Sequence, residues 1–116
     1  MLNDKVIQLG FQSEKQGLFR EYHVDLRPDF YRPVQNSGIL VEIERGGTLT
    51  KNLDLLDLWK CHLCPRADFL FLVVPIERAS EDGRTQRPFD GAFRRLSTFF
   101  EPQNYVNVEA VYLFGY

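Results

Sequence analysis

Asp29, Glu42, Glu44 and Lys60 have the types and spacing of a hydrolytic metal site. Glu42 and Glu44 fall two apart in Gly38-Ile-Leu-Val-Glu-Ile-Glu44, a segment whose alternation reads as a strand. Side chains two apart share one face of a strand, so these carboxylates stand about 7 Å apart at their Cα atoms. Asp25 and Asp29 lie in the preceding segment, and pairing across the Arg32–Gly38 turn brings Asp29 near Glu42. Two carboxylates about 4 Å apart repel by roughly 1–4 kcal/mol. A divalent cation offsets that repulsion. Mg²⁺, or Mn²⁺ in its place, takes oxygen ligands from one or two carboxylates and fills its shell with water and phosphate. Such an ion polarises a phosphate and lowers the pKa of a water nucleophile. Lys60 shares a helical stripe with Leu53 and Leu56, so it either snorkels outward or pairs with the acids. A reading without chemistry stands beside this one: a solvated strand face on which Glu42 and Glu44 pair with Arg20, Arg27 or Arg32.

Other reactive residue types are sparser. Cys61-His-Leu-Cys64 is a C-x-x-C, but no second pair completes a structural zinc site with His62 or His23. A redox dithiol needs its first cysteine at a helix N-terminus, and this pair falls at the end of a helix. Two packed thiols are the simpler expectation, and His23 and His62 read as structural or surface histidines. Arg84, Arg87, Arg94 and Arg95, together with Arg66, are where phosphate contacts would be sought. Glu81, Asp82 and Asp90 dilute that set. The chain has no Gly-rich phosphate loop, serine elbow or H-E-x-x-H.

These residues must be held by a small scaffold. The chain has 116 residues, a net charge of −2 and a pI near 5.6, with ten Phe and five Tyr as anchors. That length fits one domain, residues 1–116, able to bury a core without staples. The charge argues against a protein that coats DNA non-specifically. No run of 18 apolar residues occurs, and Met1–Lys5 opens on no apolar stretch, so the expected setting is cytoplasmic and reducing, away from membranes.

The pattern predicts the order β-β-β-α-β-α-β. Asp4–Phe11 alternates weakly and reads as a short strand, and Leu18–Tyr31 as a long one with Pro28 at an edge, bulge or end. Ile39–Arg45 follows. Gly46-Gly47 ends it, Thr48 or Thr50 caps a helix from about Thr50 to His62, and Pro65 stops that helix. Phe69–Val74 is a continuous apolar run, the mark of a strand covered on both faces. Glu77–Arg87 reads as a charged loop, Phe89–Phe100 as a second helix and Val106–Tyr116 as a last strand. Strand–helix–strand from Ile39 to Val74 should be a right-handed parallel crossover. The fold class is therefore α/β, a mixed sheet in which an antiparallel meander joins a β-α-β crossover, with two helices. Tyr112, Phe114 and Tyr116 end it on a strand that pairs within the sheet or with a second subunit.

Arg27-Pro-Asp-Phe30, then Gly38-Ile-Leu-Val-Glu-Ile-Glu44, then a helix and an apolar strand, resemble the PD-(D/E)xK, or restriction-endonuclease-like, nuclease superfamily. The resemblance spans roughly Tyr22 to Pro75. It implies a restriction-endonuclease-like core and a metal-dependent endonuclease acting on DNA, with Asp29 and Glu42 as metal ligands. Glu44 takes the position usually held by lysine, as a further ligand or base, and Lys60 or Lys51 on the following helix would substitute for that lysine. The superfamily core usually opens with a helix, for which this reading leaves almost no room. The resemblance also implies a homodimer, since one such site cuts one strand. An inactive nuclease-fold subunit, or a small interaction module with a partner protein, is the alternative.

Overall fold

Phe69–Val74 forms an interior strand of a five-stranded mixed sheet, and Leu70, Leu72 and Val74 are fully buried. The computed structural model describes residues 2–13 and 27–116. In chain order the elements are α1 (Leu2–Gln8), β1 (Gln12–Ser13), β2 (Phe30–Val34), β3 (Ser37–Ile43), α2 (Leu53–Leu63) and β4 (Phe69–Val74). There follow β5 (Arg78–Ala79), β6 (Thr85–Gln86), α3 (Pro88–Ser97), which tightens into a 3₁₀ turn at Thr98–Phe100, and β7 (Ala110–Gly115). The sheet order is β1-β2-β3-β4-β7, and β5 and β6 pair separately as a small hairpin.

The β2–β3 hairpin is antiparallel, with Phe30 opposite Val41 and a two-residue turn at Gln35-Asn36. Gly38 is required there, because a Cβ would stand 2.5 Å from the Tyr31 ring. From β3 the chain crosses through α2 to β4, which lies parallel with Glu42 opposite Leu72, and β7 joins the other side of β4 in parallel. The α/β class, the hairpin and the parallel crossover are as the sequence pattern requires.

The sheet separates two cores. On one face Leu40, Leu70, Leu72 and Val74 pack with Leu58 and Cys61 of α2 and Ala92 and Leu96 of α3. On the other, Val41 and Ile43 pack with Phe30, Phe11 and Val6. The acidic side of β3 therefore faces the helices, with Glu42 only 1% exposed. A solvated strand face at Glu42 is excluded by that burial.

Three local expectations are corrected. Asp4–Phe11 is mostly helix, not strand: α1 turns Val6 inward and leaves Ile7 and Leu9 exposed. So few apolar residues fit either period, and docking against Phe11 and Phe30 selects the helix. A helix does precede the sheet, which the sequence reading had no room for. Second, Thr48 and Thr50 do not cap α2. It starts at Leu53 behind Asn52 in the left-handed conformation, with no side-chain cap, and the buried Thr48 hydroxyl has no hydrogen-bond partner among the described residues. Third, the buried residues of α2 are Asp54, Asp57, Leu58 and Cys61, while Leu53 and Leu56 of the expected stripe are only half-buried. Asp54 meets Arg95 of α3 and Asp57 lies against Lys60 on the same helix, pairings that a hydrophobicity stripe does not register. The 77–87 loop also contains the β5–β6 hairpin, with Gly83 at φ 83°. Arg20, His23, Asp25 and most of the expected Leu18–Tyr31 strand lie outside the described residues.

Candidate functional site

Glu42 sits near the C-terminal end of β3, and Glu44 follows where the backbone still bonds to β4 through Glu44 N–H to Val73 O at 2.8 Å. That continuation of the ladder fixes the two-residue alternation, so both carboxylates point to the α2 side. The helix supplies the rest. Lys60 Nζ donates to Glu42 Oε1 at 3.1 Å and lies 3.4 Å from Asp57 Oδ1. Asp57 and Lys60 are three apart on α2, one turn along the same helix face. Glu42, Glu44 and Asp57 each offer a carboxylate oxygen, and these oxygens lie within 4.8 Å of one another.

Asp29 stands one residue before the Phe30–Val41 pair. Its Oδ2 accepts the Ile43 N–H at 3.0 Å, which ties the hairpin together beside the cluster. Its charge acts on Glu42, but it lies outside the close trio of oxygens. The structure thus brings Glu42, Glu44 and Lys60 to one point, with Asp29 at the margin. Asp57 was missed by sequence reasoning. Its signal was the three-residue spacing to Lys60, which following the apolar stripe alone does not weigh.

The electrostatics of this point are under-compensated. Burial, followed by the Asp29 charge, pushes Glu42 well above its ordinary carboxylate range, and Lys60 only partly opposes this. Burial, then Glu42 and Glu44, push Asp57 up to about 10. Burial alone would lower Lys60, yet the charges of Glu42 and Asp57 outweigh it and raise Lys60 above its usual value. Asp57 is 1% exposed, and among the described residues neither of its oxygens accepts a hydrogen bond from an N–H or hydroxyl group, while the Glu44 carboxyl bears on it and raises it further. A buried carboxyl in that condition normally costs several kcal/mol unless a cation or donors complete it. Three oxygen ligands, an orphaned buried carboxyl and a hard-acid donor set fit a divalent cation of the Mg²⁺ or Mn²⁺ type.

No protein-family model, curated protein or solved structure matches this chain. The functional reading therefore rests on the residues themselves.

The other sequence candidates have structural company. Cys61 and Cys64 are free and buried, and burial pushes Cys61 up to about 12 and raises Cys64 as well. A reactive dithiol needs the opposite shift. Among the described residues, the metal-ligand cluster contains neither cysteine. His62 Nδ1 accepts the Asn107 N–H at 2.7 Å, which pins the segment before β7 to α2. Arg87 lies 3.4 Å from Glu77 and 3.8 Å from Asp90, and Arg84 lies 3.7 Å from Asp82. Arg94 Nε donates to Asp90 O at 3.4 Å. Arg95 is built into the protein: it donates to both oxygens of the buried Asp54, to Asn52, and to the carbonyls of Thr48 and Leu49. Lys51 is exposed, its stem folded over Gly47, where φ is 81°.

Proposed function

We propose that this domain is a metal-dependent nuclease hydrolysing DNA phosphodiester bonds. The observation that carries this reading is the Asp57 carboxyl, buried beside Glu42 and Glu44 and, among the described residues, given no N–H or hydroxyl donor. Those three residues would hold a Mg²⁺ or Mn²⁺ ion. A cation there would polarise a phosphoryl oxygen and make bound water a better nucleophile. The chain's own contributions are positional and electrostatic. Asp29 fixes the hairpin through Ile43 N–H and adds negative charge beside Glu42. Lys60 holds Glu42 and would stabilise charge developing on a phosphate bound at the cluster. The choice of DNA comes from the resemblance of Arg27–Phe30 and Gly38–Glu44 to the restriction-endonuclease-like pattern.

One observation favours a second reading, an inactive nuclease-fold subunit or a small protein-interaction module. Four of the arginines expected to grip phosphate, Arg84, Arg87, Arg94 and Arg95, are engaged with acids or carbonyls of the same chain, and the net charge is −2. The two readings separate in one experiment. Supercoiled plasmid is incubated with the purified protein in Mg²⁺ or Mn²⁺, in EDTA, and with Glu42→Gln. Nicking that needs the metal and is lost in the variant supports the nuclease. Stabilisation by metal without nicking supports the inactive subunit. Neither effect would remove the metal site altogether.

A further inference from the structure

The outer edge of β7 has the pattern of a self-pairing strand. β7 runs Ala110-Val-Tyr-Leu-Phe-Gly115 and ends the five-stranded sheet, and no described strand pairs with its far side. Edge strands are normally blunted by lysine, proline or a bulge. This one has no charge, no proline and an unbroken register against β4 from Phe69–Ala110 to Val74–Gly115. Beside it, Tyr116 N–H donates to Val74 O at 3.1 Å and Ile76 N–H donates to Tyr116 O at 2.8 Å. A parallel ladder alternates, so Phe114 and Tyr112 also spend their N–H and C=O groups on β4. Val111, Leu113 and Gly115 therefore direct theirs outward.

Both faces of that edge are apolar. On the α1 side, Tyr112 and Phe114 are 50% and 46% exposed and rest edge-on against the Phe71 ring. On the helix side a groove of about 90 Å³ runs between α3 and β7, rimmed by the exposed Phe93 and Phe100. Apolar surface on both sides of an unblunted edge marks a place that another strand covers.

We propose that a second copy of this chain covers it, by antiparallel pairing of β7 with itself about a two-fold axis at Leu113. The sequence is self-complementary in that register. Leu113 meets its own copy, and Val111 meets the second copy's Gly115, so each outward-facing residue exchanges N–H and C=O with an outward-facing mate. Tyr112 falls opposite the second copy's Phe114 in the closer, non-hydrogen-bonded pairs, where cross-strand aromatics stabilise a sheet. No like charges meet. The contact is isologous, as a closed dimer requires. Pairing joins the two sheets into one and sets the two α3 helices side by side along the seam. It leaves the acidic clusters at opposite ends of the joined sheet, because β3, β4 and β7 are parallel and the second copy runs the other way.

The test is the oligomeric state of the full chain by sedimentation equilibrium. Wild-type protein should be a dimer. Tyr112→Lys with Phe114→Lys should make it a monomer, because each introduced lysine then faces a lysine. Tyr112→Lys with Phe114→Glu removes the same two rings but sets opposite charges across the axis, and should remain a dimer. A monomeric wild type, a dimeric double-lysine variant or a monomeric lysine–glutamate variant each overturns the proposal. If circular dichroism shows that either charged variant misfolds, Tyr112→Cys with Phe114→Cys decides instead. Non-hydrogen-bonded pairs hold Cα atoms about 4.5 Å apart, within disulfide reach. Oxidation should link the double-cysteine chain into dimers and leave Tyr112→Cys alone unlinked, and any other pattern overturns the register. β7 holds no residue of the acidic cluster, so this result and the nuclease assay stand or fall separately.

Discussion

Helix α2 carries two buried aspartates one turn apart, and their surroundings are opposites. Asp54 receives both Nε and Nη2 of Arg95, whose remaining donors reach Asn52, Thr48 O and Leu49 O. One planar cation with five donors answers one carboxylate and closes the turn before the helix. Asp57 shares a single ammonium with Glu42, has the Glu44 carboxyl as a further neighbour, and among the described residues accepts no hydrogen bond from an N–H or hydroxyl group. The same residue type at the same depth is structural in one place and under-compensated in the other. Satisfaction, more than burial or acidity, distinguishes a site from a brace. A brace has its donors matched within the chain. A site keeps a deficit that something outside the chain must fill.

The largest effect should come from breaking the brace. Arg95→Met leaves Asp54 buried and unpaired, and losing one partner of a buried pair costs about 3–5 kcal/mol. Urea unfolding should show that loss to the same degree with and without divalent cation. A cation-dependent loss would mean that the two aspartates are not independent.

Next in size is the response of the cluster to metal. A ligand bound only by the folded state and present at a hundred times its dissociation constant adds about 2.7 kcal/mol. Mg²⁺ or Mn²⁺ should raise the unfolding midpoint of the wild type and of Arg95→Met alike. The same addition should do nothing for Asp57→Asn. If all three respond equally, the cation binds elsewhere.

Neutralising the two aspartates should then give opposite signs. Without metal at pH 8, Asp57→Asn removes the cost of keeping an acid buried among acids and should stabilise by about 2 kcal/mol, within the range for a like-charge neighbour. Asp54→Asn weakens charge-assisted bonds to Arg95 and should destabilise by about 1.5–3 kcal/mol. Urea unfolding of both variants checks the pair. Two losses would show that Asp57 is as well matched as Asp54.

How far the sequence led to this contrast depends on which residues carried it. Phe69–Val74 and Gly38–Glu44 announced their strands because a buried or half-buried strand writes its environment in a period of two. Glu42 and Lys60 were legible as candidates, since alternation set Glu42 on one face with Glu44 and helical spacing set Lys60 on the Leu53–Leu56 stripe, while a solvated strand face and an outward lysine stayed open. Asp57 and Asp54 were not. Their burial follows from Lys60 and Arg95, one of them on a helix 41 residues later in the chain from Asp54, and a local pattern holds no record of such a partner. The N-terminal helix failed for a related reason: seven residues with one buried side chain fit either period, and packing chose. The free edge of β7 was visible as an apolar ending, but its self-complementary register needed the ladder to β4 before it could be read.

The smallest effect per step, and the most diagnostic, is the dependence of metal-free stability on pH. Asp57 ionises at 3.8 in ordinary surroundings and is pushed up to about 10 in the fold. Glu42 is also raised well above 4.5. Between about pH 4 and the raised values, the folded state therefore holds protons that the unfolded chain has released. Stability then falls as pH rises, by at most about 1.4 kcal/mol per pH unit for each proton retained. Lys60 does not contribute in the range from 5 to 8, because its value lies above 10.5 folded and it is protonated in both states there. Unfolding free energy without metal should thus decline from pH 5 to pH 8, against the rise given by carboxylates in salt bridges. Asp57→Asn should remove its own share of the decline and leave that of Glu42, and saturating cation should flatten both, since a bound ion replaces the protons. Asp54→Asn should leave the slope unchanged. A wild-type curve that is flat or rising over this interval would mean that the Asp57 carboxyl finds a partner in the folded protein, and the contrast between the two aspartates would fall with it.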